Sequence, residues 1–253
     1  MRQLKVLELF SGTRSVSKAF ERHGHETFCV DWDERFEADL HDDIEFLKAS
    51  KILRLFGRPD VIHLSPDCAT FSMAAISRHR SKNPSGGGLV ATSEYAKKCD
   101  RVDVNCMRPI RDLSPLAFWI ENPTAGMRKA DWIQWAPIWP TSYCQWTKDV
   151  PLEIRRRKAT DIWTNVPNPQ IRVPCKNGDP CHVPAPRGAR TGTQGIKGSV
   201  DRSRIPDELC EHIVRMSEEY IESLELSNDY LASMGRRPIT PVFVDEEAQP
   251  RLF

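Results

Sequence analysis

The chain has 253 residues, enough for one to two domains with a sizeable core. Apolar residues make up 40% and charged residues 28%, which excludes a compositionally disordered chain, and a net charge of +1 excludes a polycation that coats nucleic acid by bulk charge. No apolar run approaches the roughly 18 residues of a membrane span. The start, Met1-Arg2-Gln3-Leu4-Lys5, carries no secretory-signal pattern, and eight irregularly spaced Cys point to reduced thiols in a cytoplasmic protein.

In chain order, residues 4–10 read as a buried strand, followed by the turn Ser11-Gly12-Thr13 and helical spacing over 14–22. Residues 25–30 give a second strand closed by Asp31-Trp32-Asp33, and 44–55 a helix. Residues 60–64 form a third strand, ended by Ser65-Pro66-Asp67. Residues 116–120 form a fourth, ended by Glu121-Asn122-Pro123. Strands alternating with helices predict crossover connections and a mostly parallel sheet, an α/β chain. Between the last two strands, the polar, basic, glycine-rich stretch 78–88 reads as a long functional loop, and 90–110 as a helix. Residues 165–204, rich in Pro and Gly, read as irregular. Arg204-Ile205-Pro206-Asp207 starts a helix with the apolar stripe Leu209, Ile213, Met216, Tyr220 and Leu224. The tail after Gly235 reads as extended or loose. Charge is uneven: residues 151–204 carry a balance of +7, and 205–253 a balance of −7.

In an open parallel sheet, ligands bind beyond the carboxyl ends of the strands. The first strand end offers Phe10, Ser11, Gly12 and Thr13, where a glycine lets the backbone approach a ligand and helix amides face it. The second offers Asp31, a carboxylate able to accept both hydroxyls of a ribose, and Trp32, a face for a purine. Asp43-Ile44 adds a carboxylate for an exocyclic amine. The third strand end offers Pro66-Asp67-Cys68, a thiol, and the fourth Glu121-Asn122, an acid with an amide beside it. Singly, each has a plainer explanation: Asp31 and Asp43 as caps, Trp32 as core, Cys68 as a small buried apolar residue. Their order at four successive strand ends is what the plainer explanations handle badly.

Cys175, Cys181 and His182 lie close together, with Cys144 upstream. The Cys-x5-Cys-His spacing is looser than common zinc signatures, so unpaired thiols in an irregular loop, with no metal, are the expectation.

The ordered set resembles the cytosine-5 DNA methyltransferase family over about residues 4–215. Phe10-Ser11-Gly12 is similar to its glycine motif for S-adenosylmethionine, Asp31-Trp32 to its ribose contact with an aromatic neighbour, and Asp43-Ile44 to its adenine contact. Pro66-Asp67-Cys68 resembles the proline-cysteine motif carrying the nucleophile, and Glu121-Asn122-Pro123 the Glu-Asn motif. Residues 155–164 stand where the family has an arginine-bearing strand that touches the target base, and Arg202-Ser203-Arg204-Ile205-Pro206 resembles a later arginine-proline motif. The departures are Asp67 in place of a second proline, Arg14 in place of a further glycine, Pro123 where valine is frequent, and no clear Gly-Asn motif near the C-terminus, for which Asn228 is a poor candidate.

The resemblance implies a Rossmann-like sheet that binds S-adenosylmethionine through Phe10, Ser11, Gly12, Thr13, Asp31, Trp32, Asp43, Ile44 and Pro66. It implies methyl transfer to carbon 5 of a flipped cytosine by Cys68, Glu121, Asn122 and Arg157. Contacts to double-stranded DNA fall on Ser72, Arg78, Arg80, Arg155, Lys158 and Arg202. The expected organisation is a catalytic domain over 1–150, a short basic target-recognition region over 151–204, and a helix and tail over 205–253 packing back on the catalytic domain, in a monomer with no membrane contact. Fewer than 40 residues separate Asn165 from Arg202, which predicts short or relaxed sequence recognition, as in compact phage enzymes. Two alternatives keep the same residues: an RNA cytosine-5 methyltransferase, and an inactive DNA-binding relative.

Overall fold

A computed structural model describes residues 1–72, 75–184, 198–234 and 238–239. Its main sheet has seven strands. The first four in chain order are β1 (Lys5–Leu9), β2 (Glu26–Asp31), the short β3 (Leu40–His41) and β4 (Val61–Leu64). Helix α1 (Ser15–Arg22) links β1 to β2, and α2 (Ala49–Leu55) precedes β4. Next come α3 (Ile76–His79), the hairpin of β5 (Arg80–Lys82) and β6 (Leu89–Ala91), α4 (Glu94–Leu113) and β7 (Ala117–Pro123). The chain continues through β8 (Ile138–Ser142), β9 (Ala159–Thr164), α5 (Ser199–Ser203) and α6 (Asp207–Ser233). The strand order is β3-β2-β1-β4-β7-β9-β8, parallel as far as β7 and antiparallel at β9 and β8. The winding reverses between β1 and β4, so their carboxyl ends open a crevice of the kind that holds ligands in Rossmann-like sheets.

Both faces of the sheet are covered, which is why the strands read as unbroken apolar runs. Successive side chains point to opposite faces. Leu4, Val6, Val61, Ala117 and Trp119 meet α1 and α6 on one side. Leu7, Leu9, Ile62, Leu64, Phe118 and Ile120 meet the α2 and α4 side on the other. Each fully buried Leu, Ile or Phe contributes about 1.5–3 kcal/mol relative to exposure. The same parity carries past the core, so Glu121 follows the Trp119 face and Asn122 the Ile120 face.

The stretch 78–88, expected to be one long loop, holds the end of α3, all of β5 and the turn of the β5–β6 hairpin. Gly86, Gly87 and Gly88 turn it, all with positive φ. At Gly88 a Cβ would stand 2.6 Å from the Lys129 carbonyl oxygen, so only glycine lets the hairpin lean on that backbone. Helix α4 starts four residues later than the periodicity suggests, because 89–91 pair as β6 and the Ser93 hydroxyl caps the helix by accepting from Ala96 N at 3.1 Å. Strand β8 escaped prediction, since Pro140 interrupts it on the sheet's edge, where proline is tolerated. Strand β9, inside the segment read as a recognition region, lies within the main sheet between β7 and β8.

Helix α6 packs along α1 and uses much of the C-terminal negative charge internally. Glu211 pairs with Arg22 at 2.6 Å and with His23 at 2.7 Å, Glu218 with His25 at 3.0 Å, and Glu225 with Arg2 at 2.8 Å. Among the described residues, no helix is long and apolar enough to cross a membrane. The tail after Gly235 lies almost wholly outside the described residues.

Candidate active site

Strand β4 ends at Leu64, in register with Ile120 of β7, so the turn carrying Cys68 rises beside Glu121 and Asn122. That turn is held from within and from the side. The Cys68 carbonyl accepts from Phe71 N at 3.1 Å and Ser72 N at 3.0 Å. Asp67 accepts from Ala69 N at 2.8 Å and from the Tyr95 hydroxyl of α4. Asp67 thus replaces the stiffness of a second proline with a side-chain cap, as Asp does in turns. Asn122 Nδ2 donates to the Pro66 carbonyl at 2.9 Å.

Glu121 is 4% exposed, facing the opposite way from Asn122. Its Oε1 accepts from the Tyr143 hydroxyl at 2.7 Å and from Lys158 Nζ at 3.3 Å. Lys158 also donates to the Tyr143 oxygen at 3.2 Å and lies over its ring, 4.4 Å from the centroid. A buried carboxylate is costly unless paired and hydrogen-bonded, and these two donors meet that need. Cys68 is half-buried, and desolvation pushes its thiol up to about 11; Lys158 opposes the shift, while Glu121 and Asp67 add to it. In register with Asn122, buried Asp161 accepts from Arg128 and from the Thr124 hydroxyl at 2.7 Å, pinning the chain that leaves β7.

Of the residues expected to hold a cofactor, Phe10 to Thr13, Asp31 and Trp32 stand at the β1 and β2 ends, Asp43 and Ile44 follow β3, and Pro66 follows β4. Asp31 Oδ2 accepts from Gly12 N at 2.8 Å and Oδ1 from Asp33 N at 2.9 Å. Phe10, Gly12 and Arg14 all take positive φ, a tightly wound turn in which Ser11 N donates to the Val30 carbonyl at 3.3 Å and Arg14 N to the Ser11 carbonyl at 2.7 Å. Ser11 Oγ is buried without a partner among the described residues. Trp32 is 66% exposed, so it is a free aromatic face and not core. Asp43 accepts from Glu45 N at 2.9 Å, Ile44 is core, Thr13 pairs its hydroxyl with Ser15, and Pro66 is buried in the nucleophile turn. A cleft of about 640 Å³ runs from Gly12 and Thr13 past Tyr143 to Arg155, Arg156 and Arg202.

The basic residues expected to meet nucleic acid do not share one surface. Arg78 is exposed on α3 and Ser72 half-buried in the turn after Cys68. Arg80 is buried: it donates to Thr70 at 2.7 Å, pairs with Asp100 at 2.8 Å and stacks on Phe71, which corrects its assignment as a DNA contact. Lys158 is 5% exposed against Glu121, which likewise turns it from phosphates towards the acid. Arg155 donates to the Val150 carbonyl at 2.6 Å, and Arg157, expected among the catalytic residues, donates to the Cys175 carbonyl at 3.0 Å. Sequence reasoning missed Tyr143, Arg128 and Asp161. Tyr143 follows the strand that Pro140 disguises, and Asp161 reads as an ordinary surface acid until β9 is seen inside the sheet.

No family model matches the chain. Over 168 residues, 64% of this chain and 71% of the relative, it is 30% identical to the probable DNA (cytosine-5)-methyltransferase of frog virus 3 (isolate Goorha). Among solved structures it is similar to a methyltransferase of Entamoeba histolytica, with a TM-score of 0.42 and 14% identity over 65% of this chain and 53% of that one. It is also similar to the S. pombe Dnmt2 methyltransferase, with a TM-score of 0.40 and 14% identity over 64% of this chain and 49% of that one. The chain spans about half the length of these solved structures. With the viral relative matched across more than two thirds of its length, the chain belongs to the cytosine-5 methyltransferase family.

Proposed function

We propose that the chain is a DNA cytosine-5 methyltransferase that uses S-adenosylmethionine, with Cys68 as nucleophile. The observation that carries this reading is the convergence of two adjacent strand ends. The Cys68 turn is tied to β7 by Asn122, and Glu121 stands beside it with Tyr143 and Lys158 as donors.

Carbon 5 of cytosine is too weak a nucleophile to take a methyl group unaided. Addition of the Cys68 thiolate at carbon 6 breaks the aromaticity and makes carbon 5 enamine-like. Charge then builds on ring nitrogen 3, and a proton supplied there by the Glu121, Tyr143 and Lys158 set offsets it. After transfer, a base removes the carbon-5 proton and the thiolate leaves. The target base must leave the duplex stack, which costs a few kcal/mol. Exposed Arg78, with Arg155 and Arg202 along the cleft, supplies cationic charge near the strand that is opened.

The methyl donor, when bound, supplies an electrophilic sulfonium methyl. The β1 and β2 ends suit it: the wound Gly12 turn, the Ser11 hydroxyl without a partner among the described residues, the Asp31 carboxylate and the exposed Trp32 face fit an adenosine with a charged tail. The test incubates the protein with methyl-labelled S-adenosylmethionine and duplex DNA, with RNA in parallel. The expected result is 5-methylcytosine in DNA and none with Cys68→Ser. Label in RNA alone selects the RNA enzyme, and DNA binding without transfer selects the inactive relative. Methylation by the Cys68→Ser protein overturns the nucleophile.

A further inference from the structure

Four side chains outside the active site converge: Cys144, Cys175, Cys181 and His182 place their ligand atoms within 4.8 Å of one another. Cys144 comes from the turn after β8, and the other three from an irregular loop more than 30 residues later. Cys144 Sγ lies 3.2 Å from Cys175 Sγ and 3.8 Å from Cys181 Sγ. His182 Nδ1 lies 3.3 Å from Cys181 Sγ and 3.7 Å from Cys175 Sγ. A tetrahedron built on zinc–sulfur bonds of about 2.3 Å and zinc–nitrogen bonds of about 2.0–2.1 Å has edges of about 3.5–3.8 Å.

We propose that these four residues bind a structural zinc ion, three thiolates and one imidazole closing the coordination. The sequence spacing gave no such signature because the fourth ligand, Cys144, joins through the fold. Cys144, Cys175 and His182 are buried, and no acid or water channel is needed to complete the set, as befits a closed structural site. The surroundings supply the support that ligands of such ions require. Gln145 Nε2 donates to Cys181 Sγ at 3.3 Å, Arg157 Nε holds the Cys175 carbonyl at 3.0 Å, and Ser142 Oγ accepts from Cys175 N at 3.3 Å. The loop that carries three ligands has little apolar core of its own, the situation in which a metal replaces a core.

The site also reaches the chemistry. Cys144 follows Tyr143, which donates to Glu121, and Arg157 precedes Lys158, which donates to the same oxygen. Metal bound here fixes the backbone on both sides of the Glu121 donor pair.

The test measures metal in the full, untagged chain, expressed with zinc supplied and purified anaerobically without chelator. About one zinc per chain is expected, released by thiol-blocking mercurials. Replacement by cobalt(II) is expected to give the intense visible bands of a tetrahedral ion and a sulfur-to-metal charge-transfer band. His182→Cys keeps the ion, while Gln145→Leu weakens its affinity about 10-fold without unfolding the chain. A folded, monodisperse wild type with less than about a tenth of a zinc per chain, and no cobalt spectrum of this type, overturns the proposal. So does a Cys144–Cys175 disulfide in the anaerobically purified protein.

Discussion

The Asn122 amide donates 2.9 Å to the Pro66 carbonyl, two residues ahead of Cys68. One strand therefore sets the height of the thiol that the neighbouring turn carries. Asn122→Asp keeps the size but faces the carbonyl with an oxygen. The expected outcome is a chain that folds, with circular dichroism unchanged and kcat lowered about 100-fold, the scale of an ångström-level misplacement. Single-turnover methylation checks it; an unchanged rate removes the tie from the mechanism.

Tyr143 holds Glu121 by the shortest bond that acid makes. Tyr143→Phe leaves Lys158 as the sole donor and is expected to lower kcat at least about 10-fold, with DNA affinity unaltered. Binding and rate measured on one preparation separate the two effects.

Burial holds the Cys68 thiol up at about 11, so little thiolate exists at neutrality without substrate. Alkylation of Cys68 by iodoacetamide, followed by peptide mass mapping, is expected to accelerate about 10-fold for each pH unit between 7 and 9, since the reactive form grows in that proportion. A rate that is flat over this range contradicts the shift.

Glu8, sealed in β1, is raised by desolvation to about 7, while neighbouring His63 is lowered by desolvation to about 3. The folded state holds the Glu8 proton longer than the unfolded chain does. Its contribution is therefore full below the ordinary 4.5 and is lost as pH rises through 7. His63 runs the other way, losing stability as pH falls from 6.5 towards 3, and masks the trend in the wild type. Glu8→Gln removes the first effect. The variant is expected to gain about 2 kcal/mol relative to wild type between pH 5 and pH 8, read from urea midpoints.

Arg80 and Arg78 separate architecture from contact. Arg80→Ala strands Asp100 and is expected to cost about 3–5 kcal/mol of stability. Exposed Arg78→Ala is expected to leave stability within about 0.5 kcal/mol and weaken DNA binding in a salt-dependent way. Thermal melts and binding at two salt concentrations distinguish them.

Strands β1, β4 and β7 were legible because a parallel strand covered on both faces writes itself as a continuous apolar run, and the polar residues just beyond each run are where such a sheet binds ligands. Phe10 to Thr13, Asp31, Cys68, Glu121 and Asn122 could be read that way. Arg80 could not: its charge argues for the surface, and only Thr70, Asp100 and Phe71 together make burial tolerable. Lys158 looked like one of four adjacent cations until β9 turned it inward. Tyr143 and Cys144 depend on a strand that proline conceals, so pairing across the sheet, invisible in local pattern, decides their place.

The seating of α6 on α1 has a consequence for biosynthesis. Val16, Ala19 and Phe20 find their cover in Leu209, Ile213 and Ile221, nearly 200 residues downstream. As the nascent polypeptide leaves the ribosome, helix α1 presents an oily flank without this cover until residues 209–221 have emerged, the kind of surface that chaperones capture. Contacts of such long sequence separation are the kind that form slowly, and a chain cut before residue 209 leaves α1 without its outer layer.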